Sequence, residues 1–273
     1  LAPREGDEVM GDELQPREGQ CPQGQPQPHV RCTRKDAARY AILPGDWARV
    51  DRMREFLDDV QDIAFNREMK SIVGSYRGVR VMCVSTGMGG ASTGIAVEEL
   101  HNVGVECMIR IGSCGALQPE VGMGDLVVLS GVVRDDGASR AYVGENYPAV
   151  PDTDILMAEV QTARELGLPF HVGLGRSHDS FYTDREEDID RYWHDRGVLG
   201  ADMETSALFT IGRLRRVRCG SILNVVSLYE GDLASEINAY TGAEDKAAQG
   251  ERNEITLALE TVVRLEHYRK AGE

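Results

Sequence analysis

Residues 90–94 read Gly-Ala-Ser-Thr-Gly, a G-x-S-x-G pattern that can present Ser92 as a nucleophile. A nucleophile elbow puts its serine at a sharp turn directly after a strand. Here the strand-like run ends near Ser85, and the segment Thr86-Gly87-Met88-Gly89-Gly90-Ala91 comes before Ser92. That loop is too long for an elbow. Gly87-x-Gly89 also lacks the third glycine of a dinucleotide fingerprint. What remains is a Gly-rich loop opening a helix, where backbone can approach a ligand and helix amides favour an anion. The plain alternative is a connection that binds nothing.

Three other stretches carry chemistry-bearing residues. In Pro44-Gly45-Asp46-Trp47-Ala48-Arg49-Val50, Gly45 would admit an anion to main-chain N–H groups and Arg49 could fork onto phosphate oxygens; alone, the stretch reads as a turn and a solvated helix. In Ile109–Leu117, Arg110 lies in an apolar strand where alternation buries it, and a buried guanidinium needs an anionic partner. Ser113 follows at the expected strand end, and Cys114 is read as a small packing residue because no base accompanies it. In Gly200–Phe209, Asp202 and Glu204 flank Met203 before an amphipathic helix. Carboxylates there are caps or dipole partners, or else they grip the vicinal hydroxyls of a sugar. The six histidines have no metal-ligand spacing, so no catalytic metal is expected.

The elements that must position these residues alternate between strand and helix. Residues 40–43, 78–85, 104–111, 125–133 and 219–227 are short, β-branched runs bounded by Gly or Asp. Ala96, Leu100 and Val103 share one helical face; so do Ala207, Leu208, Ile211 and Leu214, and so do Ile255, Ala258, Leu259 and Val262. The alternation predicts an α/β fold with a largely parallel sheet and sites at the C-terminal strand ends. Residues 1–28 are poor in apolar side chains, repeat Pro-Arg-Glu-Gly and are read as a flexible extension; 29–273 form one domain. The net charge of −15 argues against nucleic acid and anionic membranes as partners. None of Lys35, Lys70, Lys246 and Lys270 follows a glycine, which excludes a Walker-type loop. No apolar run nears the roughly 18 residues of a membrane span, and scattered cysteines in apolar runs suit a reducing compartment, the cytoplasm.

Taken together, these segments resemble the nucleoside phosphorylase family, in its branch of hexameric uridine and purine nucleoside phosphorylases. The resemblance rests on Ser85-x-Gly87-Met88-Gly89-x-Ala91-Ser92-x-Gly94-Ile95 followed by Glu99-Leu100, and on PGDWAR, Asn66-Arg67-Glu68, IRIGSCGAL and DMETSA in the family's order. It implies a single domain with a central mixed, twisted β-sheet, partly closed as a barrel and flanked by helices. It implies a phosphate site of Gly45, Arg49, Arg110 and Ser113, completed by Arg67 of a neighbouring protomer. Met203 and Glu204 would hold the ribose, with His29 reaching its 5′-hydroxyl across the interface, and Phe181 would pack on the base. The resemblance also implies inorganic phosphate as co-substrate with no cofactor, a homo-oligomer built from dimers (a hexamer), and a monovalent cation at Glu68 and Ser92. On this reading Ser92 holds the loop and does not attack.

The nucleobase is read from two departures. Purine-specialised members carry an Asp just after the strand at 219–227, where this chain has Val226, Ser227 and Leu228. Its absence favours uridine, whose base leaves as a delocalised anion, as do Arg134–Ser139 and Tyr147–Asp152. Uridine phosphorylases also read uracil with a Gln and an Arg shortly after the aromatic, and here Arg185 stands in as the donor. The alternatives are a purine nucleoside phosphorylase, a nucleosidase using water, and a non-catalytic nucleoside-binding protein.

Overall fold

In the computed structural model, which describes residues 25–229, 231 and 246–272, all five expected strands form. They are β1 (Tyr40–Pro44), β4 (Val79–Val84), β5 (Cys107–Ala116), β6 (Leu126–Asp135) and β9 (Arg218–Ser227). Four more join them: β2 (Asp58–Asn66), β3 (Met69–Tyr76), β7 (Phe170–His178) and β8 (Gly200–Asp202). The helices are α1 (Trp47–Met53), α2 (Gly90–Val103), α3 (Gly137–Arg140), α4 (Thr153–Leu166), α5 (Glu186–His194), α6 (Thr205–Leu214) and α7 (Lys246–Gly272).

The sheet runs β2-β3-β4-β1-β5-β8-β7-β6-β9, and β9 returns to pair with β5. Strands β5, β8, β7, β6 and β9 therefore close on one another as a barrel, and β1, β4, β3 and β2 extend from it as an open wing. The alternation seen in the sequence accounts for the parallel set β4-β1-β5-β9. Antiparallel pairing enters through the β2–β3 hairpin, its join to β4, and the β5–β8 and β6–β9 contacts. The sheet is mixed.

Period-2 alternation divides the core. Ala41, Leu43 and Met108 face one apolar cluster with Val97, Leu100, Leu208 and Ile211 of α2 and α6. Tyr40, Ile42 and Ile109 face the other, with Ile155 and Ala158 of α4 and Ile255, Ala258 and Leu259 of α7. With both faces covered, the central strands read as continuous apolar runs, which made them legible. Strand β7 was not, because two glycines dilute it: a Cβ at Gly173 would lie 2.6 Å from Leu199, and one at Gly175 would lie 2.8 Å from Leu129.

Residues 1–24 of the expected extension lie outside the described residues. Gln27 is buried, its N–H donates to the Cys32 carbonyl at 3.0 Å, and its amide oxygen accepts from Asn102 at 3.2 Å. Packing thus begins before His29. The described cysteines, 32, 83, 107, 114 and 219, are buried and free, and no described helix is long and apolar enough to cross a membrane.

One core residue is out of character. Glu159 on α4 is fully buried, neither carboxyl oxygen has a hydrogen-bond partner, and a Cβ on Gly220 of β9 would lie 2.3 Å from Oε1. Burial pushes its carboxyl up to about 8. The unfolded chain releases this proton near its ordinary pKa while the native state keeps it, so stability falls as pH rises from about 4.5 to about 8. Glu159→Gln should remove this loss, gaining roughly 3 kcal/mol on the parent between pH 5 and pH 8. Urea unfolding at both pH values tests it; parallel pH dependence of the two proteins would refute it.

Candidate functional site

Strand register creates the site. Pro44, the last residue of β1, pairs with Ile111, while β5 continues to Ala116. Gly112 and Ser113 therefore sit inside a strand that has outrun one neighbour, not at a strand end as the sequence suggested. The β4–α2 loop laces onto the end of β1, with Thr86 N–H donating to the Pro44 carbonyl (2.9 Å) and Gly87 N–H to the Gly45 carbonyl (3.0 Å).

Arg110 occupies the floor, 4% exposed. Its Nε donates to Asp202 Oδ2 at 2.9 Å and its Nη2 to Glu204 Oε2 at 2.5 Å. Nη1 is buried with no partner, and a Cβ on Gly45 would lie 3.9 Å from it. Burial opposes the Arg110 charge, but Glu204 and Asp202 outweigh it and hold the guanidinium above its ordinary value. The side chain folds back over its own strand: a Cβ at Gly112 would meet Nη2 at 2.4 Å, so only glycine fits there.

Asp202 and Glu204 divide the roles left open above. Asp202 Oδ2 also accepts from Thr205 N–H at 3.0 Å, so Asp202 caps α6 and pairs with Arg110 at once. Its Oδ1 accepts from Ser177. Glu204 Oε1 accepts from Gly89 N–H, at the start of α2, at 2.6 Å. The helix amide expected to favour a free anion thus holds a carboxylate of the chain. Burial pushes the Glu204 carboxyl up, against the pull of Arg110 and of the Gly89 and Met203 N–H groups.

Arg49 is buried, contrary to a solvated helix, on the same inward side of α1 as Val50 and Met53. Its Nε donates to Glu251 Oε2 at 3.0 Å, Nη1 to the Ile111 carbonyl at 3.3 Å and Nη2 to Ser113 Oγ at 3.2 Å, and Nη1 also lies 3.2 Å from Glu254 Oε1. Burial pushes Glu254 up to about 8, so it keeps its proton at neutral pH and leaves Arg49 more of its charge. Glu251 and Glu254 escaped the sequence reading, although both fall on the apolar stripe of α7 that includes Ile255 and Ala258. Carboxylates on a core-facing stripe were the available signal.

A cavity of about 590 Å³ is lined by Gly45, Arg49, Arg110 and Ser113 together with Met203, Glu204 and Phe181. A second cavity of about 400 Å³ shares Gly115, His178, Phe181 and Ala201 with the first. Arg185 is exposed at the start of α5 and lines neither. Arg67 is exposed at the tip of the β2–β3 hairpin with φ 56°, and His29 Nδ1 lies 2.6 Å from Glu99 Oε1 of its own chain. Neither lines these cavities.

Ser92 Oγ lies within hydrogen-bond reach of Glu68 Oε1 (2.9 Å) and of the Thr86 carbonyl, which share its one proton. These bonds tie the hairpin to the Gly-rich loop; the approach is so close that a Cβ at Gly87 would lie 2.6 Å from Glu68 Cγ. Cys114 packs in the core, and burial pushes its thiol up, away from thiolate chemistry. Among the described residues no group of three or more His, Cys, Asp or Glu could hold a metal ion.

The chain is similar to known proteins along most of its length. The family described as the phosphorylase superfamily matches residues 39–263. Guanosine phosphorylase of Halorubrum lacusprofundi is 37% identical over 233 residues, covering 85% of this chain and 95% of that protein. Uridine phosphorylase of Thermococcus kodakarensis is 37% identical over 209 residues, 72% of this chain and 76% of that one. The crystal structure of uridine phosphorylase from Vibrio fischeri ES114 superposes with a TM-score of 0.82 at 42% identity, covering 88% of this chain and 98% of that chain.

The free Nη1 of Arg110 predicts an anion at Gly45. Phosphate at about a hundred times its Kd should stabilise the fold by about 2.7 kcal/mol in thermal unfolding, and Arg110→Met should abolish that shift. An equal shift in the variant would put the anion elsewhere.

Proposed function

This chain belongs to the phosphorylase superfamily, and from that premise we propose that it cleaves a nucleoside, uridine by preference, with inorganic phosphate to give free base and ribose 1-phosphate. One observation carries the reading: a buried arginine, fixed on two sides by carboxylates, keeps its Nη1 amino group unpartnered beside Gly45, where a small anion fits. Gly45, Arg49, Arg110 and Ser113 seat the phosphate. Met203 and Glu204 hold the ribose, and Phe181 packs on the base.

Phosphate attacks C1′ as the glycosidic bond breaks, so the ribose takes on oxocarbenium character above a dianion. Fixed guanidinium groups supply orientation and electrostatic stabilisation without reorganising as charge develops. Glu204 receives Gly89 N–H and Arg110 together, so phosphate site and sugar site share one rigid support. The base departs as a delocalised anion. Val226 lines the cavity near the position where purine-specialised members keep an acid, which supports uridine. A purine substrate is the second reading, favoured by the guanosine phosphorylase relative that this chain covers almost fully.

The active assembly is a homo-oligomer built from dimers, a hexamer, in which Arg67 reaches the phosphate and His29 the ribose of a neighbouring protomer. Exposed Trp47, Phe65 and Met88 support this, because Trp47 and Met88 rim the cavity and the Trp47 ring packs at a tilt 5.7 Å from that of Phe65. Glu68 and Ser92 provide three side-chain oxygens per chain, so a monovalent cation would draw on the same pair from a facing protomer. The buried free thiols suit a cytoplasmic enzyme of nucleoside salvage.

Ribose 1-phosphate should appear from uridine only when phosphate is added. Ser92→Ala should lose about tenfold at most, the scale of one hydrogen bond, whereas loss of a true nucleophile costs on the order of a millionfold. Ribose released without phosphate would indicate a nucleosidase, and binding without turnover a carrier. Arg67→Ala should be inactive yet recover partial activity when co-assembled with an Arg110→Ala chain; an active monomer by light scattering would refute the shared site.

A further inference from the structure

The second cavity has a wall that the phosphate and ribose roles leave unused. Glu186 and Asp190, four residues apart on α5, line it together with His178. Both carboxyls are half-buried, and among the described residues neither accepts a hydrogen bond from the chain. Glu186 Oε2 is fully buried and unpartnered. A solvated helix face does not leave a carboxyl oxygen in that state.

Arg176 on β7 lies behind this wall, 4% exposed. Its Nε and Nη2 both reach Asp135 Oδ2 at 2.9 Å, and Nη1 is buried without a partner. The direction of the side chain follows from register. Arg176 pairs with Ala201, which lines both cavities, and His178, two residues on along the strand, does so too. Strand neighbours in register and residues two apart share a face, so Arg176 stands on the strand face of His178, although it lines neither cavity itself. Burial pushes both carboxyls up, with Asp190 adding to the rise at Glu186, while the Arg176 charge pulls both down and also lowers His178. His178 faces Asp202 and Asp135 as well; burial holds it below its ordinary value, and with Nδ1–H donating to the Ser180 carbonyl at 2.9 Å, Nε2 is left as an acceptor.

We propose that Glu186 and Asp190 read the nucleobase, accepting its ring N–H, and that the site selects bases bearing a ring N–H beside a carbonyl (uracil, thymine or a 6-oxopurine) over adenine and cytosine. The inference rests on the phosphorolysis reading, because it takes the wall beyond Phe181 to be the base end of that site. It replaces Arg185 as the reader, since Arg185 lies outside both cavities. Cytosine and adenine present a lone pair where uracil and hypoxanthine present that N–H, and a lone pair facing a carboxylate is repelled.

The test is calorimetric binding of free bases to the whole protein in phosphate buffer, with uracil against 3-methyluracil and hypoxanthine against 1-methylhypoxanthine. Within the pair that the wild type binds, the N–H base should bind at least tenfold more tightly, about the worth of a hydrogen bond to a charged group. The Glu186→Ala/Asp190→Ala variant should bring that pair within about threefold; alanine suits a helix, and no intrachain hydrogen bond is lost, so folding should survive. Equal binding of methylated and unmethylated bases by the wild type, or a preference retained by the folded variant, would overturn the proposal. Base binding needs no turnover, so a wild type that discriminates between these bases yet forms no ribose 1-phosphate would sink the phosphorolysis reading alone.

Discussion

A guanidinium removed from water must be paired, and the pairing of Arg110 organises the centre of this protein. Asp202 and Glu204 take two of its edges, and each also anchors a separate helix start: Asp202 accepts the first N–H of α6, from Thr205, and Glu204 accepts the N–H of Gly89, the residue before α2. One buried cation therefore binds β5, the β8–α6 junction and the β4–α2 loop into a single unit. Breaking such a pair from one side leaves a buried charge uncompensated, which costs several kcal/mol. The arrangement is therefore rigid, and the remaining N–H points where the chain supplies no acceptor.

The same logic repeats nearby with different partners. Arg49 is held by Glu251 and Glu254 of the C-terminal helix, so the last element of the chain supports a residue of the first helix. Arg176 is held by Asp135 and again keeps its Nη1 amino group unsatisfied. In each case acidic side chains fix the arginine. A guanidinium without such support would swing with its side chain and lose the entropy that a preorganised site has already given up.

Much of the site was legible because its residues break local rules. An arginine within an apolar strand, a glycine beside it, and carboxylates just before an apolar helix each contradict the surrounding pattern, and such conflicts gather at functional positions. Residues that obey a local rule stayed hidden. Glu186, Glu187 and Asp188 look like ordinary first-turn acids of a helix, and nothing in their spacing separates Glu186 from the exposed pair after it. Arg176 lies in a strand whose glycines blur the β pattern. The β2–β3 hairpin was missed because β2 exposes most of its length and carries Asp and Gln where a core strand would be apolar.

The order and identity of the central strands, the two helix-covered faces, the Gly-rich loop and the family motifs were determined by local sequence, because periodicity and side-chain chemistry operate over a few residues. Closure of the barrel was decided only in three dimensions, since β9 meets β5 across more than a hundred residues of chain. So was the partner of each arginine: Arg110 finds Glu204 and Arg49 finds Glu251 through contacts that no spacing rule encodes. A buried charge announces from sequence that it needs a counter-charge. Which carboxylate answers, and which N–H is left for a ligand, depends on how the whole sheet folds.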